Sequence, residues 1–221
     1  MEYARTIAMD GPAGSGKSTV GTKLAERLGY VFVDTGLLYR GITRRVLDEG
    51  IDTQDISAIA EVAHRLTDHF QTADRAYHDL LQTAAGLHDA DVGKAVPVVA
   101  AYPAVRAQVR QIQREIARHG CVIFAGRDIG TVVLPDADLK IFLDASLTQR
   151  AKRRYDYFRG QNQERTFAQI LSDLGARDAL DSHRAESPLR IADDAHIIYT
   201  DNMSVSQVLD TILLMIAEYE A

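Results

Sequence analysis

A short apolar run, Thr6 to Met9, leads straight into "GPAGSGKSTV" at residues 11 to 20. The stretch fits Gly11-x-x-x-x-Gly16-Lys17-Ser18, with a strand-like segment before it and a helical stripe (Val20, Leu24, Ala25, Leu28) after it. Nothing else in the chain restricts its fold so tightly. Glycines at 11, 14 and 16 allow backbone conformations that a Cβ would hinder, so that successive N–H groups turn inward and form a nest for phosphate oxygens. The helix that begins near Lys17 adds the positive end of its dipole. Gly11, Pro12, Ala13, Gly14, Ser15, Gly16, Lys17, Ser18 and Thr19 are therefore the expected loop for nucleotide phosphates, with Lys17 spanning the β- and γ-phosphates and the Ser18 hydroxyl ligating Mg²⁺.

A phosphate-binding loop does not by itself choose between a kinase, a GTPase and a motor. The base-reading tetrapeptide Asn-Lys-x-Asp of a GTPase is absent, and 221 residues is short for a motor. That leaves a small phosphotransferase. The formal charge of -6 offers no bulk field for nucleic acid or an anionic membrane, so anion sites must be local clusters of basic residues. With 46% hydrophobic residues the chain can build a substantial core. No stretch approaches the roughly 20 apolar residues of a membrane span. The single cysteine, Cys121, begins an apolar run and is expected to be a packed core thiol; one cysteine allows no internal disulfide, which suits a reducing cytoplasm.

Further strands are expected at Tyr30 to Val33, Cys121 to Ala125, Leu139 to Leu143 and His196 to Tyr199. The first helix stops at Gly29, a second stripe (Val105, Val109, Ile112, Ile116) starts after Pro103, and an amphipathic helix from Ser204 to Tyr219 closes the chain. Strand, helix, strand in repetition means parallel βαβ units with helices on both faces of one sheet. Thr67 to Val92 breaks the rhythm and reads as an inserted lobe with short strands; its His69, His78 and His88 lack the spacing of a zinc site.

The basic residues then indicate the acceptor. "DTGLLYRG" follows the second strand and places Thr35 and Arg40 at the carboxyl edge of the sheet, where ligands bind in such folds. Arg127 and Asp128 follow the third strand at the same edge. "RAKRRYDYFRG" holds Arg150, Arg153, Arg154 and Arg159, and "ARDALDSHR" presents Arg177, Asp181 and Arg184 at spacings of four and three, on one helical face. Two phosphorylated substrates repel each other, and the transferring phosphoryl spreads charge over its oxygens, so fixed guanidinium groups and Mg²⁺ are what the chemistry requires. A neutral sugar acceptor would not need so many. An acceptor that is itself a phosphate would, which points to a nucleoside monophosphate kinase.

Taken together, "IAMDGPAGSGKSTV", "DTGLLYRG", "VAAYPAVR", "GRDIGTVVLPDADLKIFLDAS" and "ARDALDS" resemble the bacterial cytidylate kinases, from about Ile7 to the last helix. The resemblance implies ATP- and Mg²⁺-dependent phosphorylation of CMP or dCMP by a monomer, with nucleotides as its only partners. It also implies a five-stranded parallel α/β sheet of the P-loop monophosphate-kinase type: a core of residues 1–50 and 120–221, a monophosphate-binding lobe at about 51–119, and a helical lid at about 150–165. Thr35, Arg40, Arg127 and Arg184 would then hold the CMP phosphate. Arg106 and Asp128 would face the cytosine edge, and Arg177 and Asp181 would reach the ribose or phosphate. Lys17, Arg127, Arg150, Arg153 and Arg154 would be catalytic, the last three from the lid. Asp34 would either bind a water of the metal or orient Arg40.

Two departures stand out. Pro97 replaces a serine that in the family helps to read the base, and Pro97 has neither a hydroxyl nor an N–H to donate. His88 stands where an arginine is usual. Losing one donor is expected to relax discrimination between cytosine and uracil by about a factor of ten, which raises the alternative of a pyrimidine monophosphate kinase that also accepts UMP.

Overall fold

The computed structural model describes residues 4–68, 86–87, 89–161 and 164–219. His69, His78, His88 and the short strands expected within Thr67 to Val92 lie outside these residues. The described parts of that segment end one helix at Asp68 and begin another at Ala90.

The five strands of the described residues are β1 (Thr6–Asp10), β2 (Val31–Asp34), β3 (Val122–Ala125), β4 (Leu139–Asp144) and β5 (His196–Tyr199). They form one sheet in the order β2-β3-β1-β4-β5. The ladders of β1 with β3, β1 with β4 and β4 with β5 are parallel. The central strands are buried almost end to end, as continuous apolar runs between two layers require, whereas the edge strands β2 and β5 leave Val31, Ile197 and Tyr199 exposed. Helix α1 (Lys17–Leu28) and the closing helix, here α8 (Val205–Tyr219), supply Val20, Leu24, Val208, Leu209 and Ile212 to a core shared with Ile7, Met9, Ile141 and Leu143. Ser204 and Gln207 exchange hydrogen bonds as a capping box and so fix where α8 starts.

Between these lie α2 (Thr35–Asp48), α3 (Ile56–Asp68), α4 (Ala90–Val99), α5 (Pro103–Arg118), α6 (Leu147–Gly160) and α7 (Phe167–His183). The chain divides into two compact units, residues 1–32 with 121–221, and Val33 to Gly120. In the second, α2 packs on α3 and α4, and α3 on α5.

Two edges of the expected strands move for local reasons. Tyr30 is left out of β2 because its N–H returns to the Ala25 carbonyl as part of the left-handed turn at Gly29 that ends α1. Cys121 is not a core thiol. It is exposed, with φ at 53, in the turn that follows Gly120, and the buried run starts one residue later at Val122.

Candidate active site

β1 ends and the phosphate loop begins at Gly11, whose φ of 143 is closed to other residues; a Cβ there would lie 2.1 Å from the Leu143 carbonyl oxygen. The loop is therefore pressed against the end of β4. Gly14 and Gly16 also have positive φ, and Gly16 caps α1 without any side-chain acceptor, which leaves the first N–H groups of a 12-residue helix directed at the loop. Lys17 is buried and donates from Nζ to the Gly11 and Pro12 carbonyls, both at 2.8 Å, and to Ser15 Oγ at 3.3 Å. Ala13 belongs to a small apolar cluster with Ala151, Ile170 and Leu174, so α6 and α7 brace the loop. Ser18 and Thr19, in the first turn of α1, are exposed.

At the end of β3, next in the sheet, stand Arg127 and Asp128. Arg127 Nε donates to Asp181 at 2.8 Å, and its Nη1 donates to the Gly126 carbonyl at 3.2 Å. Arg184 lies 3.8 Å from Asp181 and 3.7 Å from Asp128, and Arg177 lies 3.9 Å from Asp181. Five of the expected residues thus form one partly buried cluster, with Asp181 at its centre. Three guanidinium groups and two carboxylates meet there.

Asp10, which the sequence reading passed over, ties this cluster to the loop. Its carboxylate accepts from Ile129 N–H at 2.9 Å and Gly130 N–H at 2.8 Å, at the start of the π-helical turn Ile129–Val133 directly after Asp128. Burial pushes its pKa from 3.8 up to about 6, against the pull of those two amides; Asp128 raises it further and Lys17 lowers it. A raised folded-state pKa gives stability that is present below 3.8 and lost as pH rises through 6. The stability of the natural chain relative to Asp10→Asn is therefore expected to fall by about 3 kcal/mol across that window. Denaturant unfolding of both proteins from pH 4 to 7 measures this, and a flat difference would show an ordinary carboxyl.

The arginines of α6 are held differently. Arg150 is buried, donates to the Ala145 and Ala13 carbonyls at 2.8 and 3.1 Å, and pairs with Asp178 at 2.7 Å. Arg153 reaches the Ser15 carbonyl at 3.3 Å and Thr200 Oγ1 at 3.1 Å. Arg154 lies over the Phe158 ring, and with Arg165, Asp173 and Arg177 it lines a shallow depression.

The second unit carries Thr35, Arg40 and Arg106. Thr35 is the buried first residue of α2, and Asp34 caps that helix by accepting from Gly36 N–H at 3.0 Å. Arg40 donates to the Leu87 carbonyl at 2.9 Å; burial lowers its pKa from the ordinary arginine value, and Asp34 opposes the shift. Arg106 is buried, with its guanidinium 5.5 Å from the centre of the Tyr39 ring and a donor 3.3 Å from the Ala100 carbonyl. Pro97 lies inside α4.

Among the described residues no group of three His, Cys, Asp or Glu side chains is arranged to hold a metal. A cation here would depend on nucleotide oxygens and water, with one hard oxygen from the protein, and the exposed Ser18 hydroxyl beside the loop suits Mg²⁺ in that role.

A family model described as cytidylate kinase matches residues 7–218. The chain belongs to the cytidylate kinase family. Over the whole of both chains it is 38% identical to a cytidylate kinase of an Exiguobacterium species, and it is 43% identical to one of Streptococcus equi subsp. zooepidemicus over 93% of each. Among solved structures it is similar to a gluconokinase from Sinorhizobium meliloti, with a TM-score of 0.50 and 17% identity over 99% of this chain and 94% of that one, a likeness of fold alone. This cytidylate kinase family member has no described helix long and apolar enough to cross a membrane.

Asp10, Asp178 and Thr200 were missed in the sequence. Asp10 did leave a signal, a carboxylate closing an otherwise apolar strand beside Gly11. Asp178 and Thr200 left none, because their partners are distant along the chain.

Proposed function

We propose that the chain transfers the γ-phosphoryl group of ATP to the phosphate of CMP or dCMP, giving ADP and CDP or dCDP. One observation carries the reading: in a chain of this family, a nest of loop amides and a cluster of three guanidinium groups stand at neighbouring strand ends, joined through Asp10. ATP phosphates occupy the loop from Gly11 to Thr19, with Lys17 moving from the Gly11 and Pro12 carbonyls to the β- and γ-oxygens. When bound through Ser18, Mg²⁺ supplies charge neutralisation at those oxygens.

Arg127 and Arg184, with Thr35 and Arg40, hold the CMP phosphate. Arg177 and Asp181 reach its ribose or phosphate, and Arg106 with Asp128 offers a donor and an acceptor to the cytosine edge. An oxygen of the CMP phosphate attacks the γ-phosphorus in line as the bond to the β-phosphate oxygen breaks, and the electron pair leaves on ADP. That oxygen is already anionic near neutral pH, since a phosphate monoester loses its second proton near pH 6, so no general base is required. Arg150, Arg153 and Arg154 of α6 stabilise the charge of the transferring group, Arg150 and Arg153 while also donating to the loop carbonyls of Ala13 and Ser15. The chain is proposed to act as a cytoplasmic monomer on nucleotides alone.

Nothing in the comparisons favours acceptance of UMP. Pro97 removes one side-chain donor, and the base reading is assigned to Arg106 and Asp128. A coupled assay of ADP release against CMP, dCMP, UMP, AMP and GMP is expected to give the largest kcat/KM for CMP or dCMP. Faster turnover of any other monophosphate, or of shikimate, would overturn the reading.

A further inference from the structure

We propose that Thr200 is a positioning residue of the donor site: with Arg153 it holds the Ser15 carbonyl outward and thereby aims the Gly16 N–H at the ATP phosphates. The argument rests on peptide geometry. In a trans peptide the C=O and the following N–H point in opposite directions, and among the described residues no peptide bond is cis. Whatever fixes the Ser15 carbonyl also fixes the Gly16 amide.

Thr200 lies one residue beyond β5, buried at 3% exposure and 185 residues from Ser15. Its Oγ1 stands 3.2 Å from the Ser15 carbonyl and 3.1 Å from the Asp144 carbonyl, and it accepts from Arg153 Nη1 at 3.1 Å. The Thr200 hydroxyl thus lies within donating distance of both carbonyls, and the Asp144 carbonyl also takes the Thr200 N–H at 2.8 Å, which ties the Ser15 carbonyl to the end of β4 through one side chain. Arg153 also donates to the Thr200 carbonyl and, at 3.3 Å, to the Ser15 carbonyl. One loop carbonyl thus receives two donors from behind. Arg150 treats the Ala13 carbonyl in the same way at 3.1 Å, and the amide that it aims is Gly14. Both aimed residues are positive-φ glycines, which have no Cβ to limit rotation of the adjoining peptide plane, so an outside clamp has work to do at these positions.

This inference rests on the loop binding ATP, and the test separates the two. Equilibrium binding of ATP, without acceptor, is measured for the natural chain, Thr200→Val and Thr200→Ser, followed by KM for ATP and for CMP. Thr200→Val keeps the shape and removes the hydroxyl. It is expected to weaken ATP binding and raise KM for ATP roughly tenfold to a hundredfold, the effect of misdirecting one donor to a charged group, with KM for CMP unchanged. Thr200→Ser is expected to restore ATP binding to within about threefold. Thr200→Ala, which puts no methyl against the Asp144 carbonyl, carries the same expectation as valine and serves if that variant does not fold. A natural chain that binds no ATP overturns the functional reading itself. A natural chain that binds ATP, with valine and alanine variants that bind it equally well or a serine variant as poor as they are, overturns the role of Thr200 alone.

Discussion

Lys17→Ala is expected to lower kcat for ADP formation by roughly a thousandfold while the chain stays folded. The size follows from the charge that Lys17 carries into a site enclosed by main-chain dipoles. In-line transfer gives the protein little covalent work, so stabilising the charge on the β- and γ-oxygens accounts for most of the rate. Stability should change little. The Gly11 and Pro12 carbonyls and Ser15 Oγ, which accept from Lys17 Nζ, belong to the loop itself and not to the packed core. Thermal melting followed by circular dichroism, beside the coupled assay, separates the two effects. Turnover at the natural rate would contradict the assignment of the loop as donor site.

Arg127→Ala is expected to lower kcat/KM for CMP by about a hundredfold to a thousandfold and to leave KM for ATP nearly unchanged. Arg127 is partly buried, fixed by Asp181 at 2.8 Å, and attached directly to the end of β3. Its guanidinium is therefore presented in one orientation, and little ordering is left to be done when the acceptor phosphate arrives. Arg127→Lys should recover only a small part of the loss, because an ammonium cannot donate to Asp181 and grip a phosphate with the same planar fork. Arg159→Ala is the control. Arg159 is exposed and lies over the Tyr155 ring at 5.9 Å, and its loss should leave the rate within about twofold. If Arg127→Ala were as active as Arg159→Ala, the acceptor site would lie elsewhere.

Much of the fold was legible because it is local. The β1 run, the loop and α1 announce themselves through short apolar runs, glycine spacing and helical periodicity, and all five strands fall within one or two residues of where the alternation places them. The errors lie at turns. Tyr30 belongs to a helix-ending turn, and Cys121 sits at φ 53 ahead of its strand, and both are set by glycines whose influence reaches one residue further than composition suggests.

The site divides in the same way. Residue types and their order along the chain determined the phosphate-loop motif, the arginine-rich segments and the family, because a nest of amides and a run of guanidiniums are properties of short segments. Only the tertiary structure decided which carboxylate each arginine faces: Asp181 gathering Arg127, Arg177 and Arg184, Asp178 holding Arg150, and Thr200 meeting Arg153 behind the loop. Arg177 and Arg184 lie within one helical turn of Asp181, but the other pairings join residues 28 to 54 positions apart. They depend on which strand ends the sheet order places side by side, and no local pattern in the chain encodes that order.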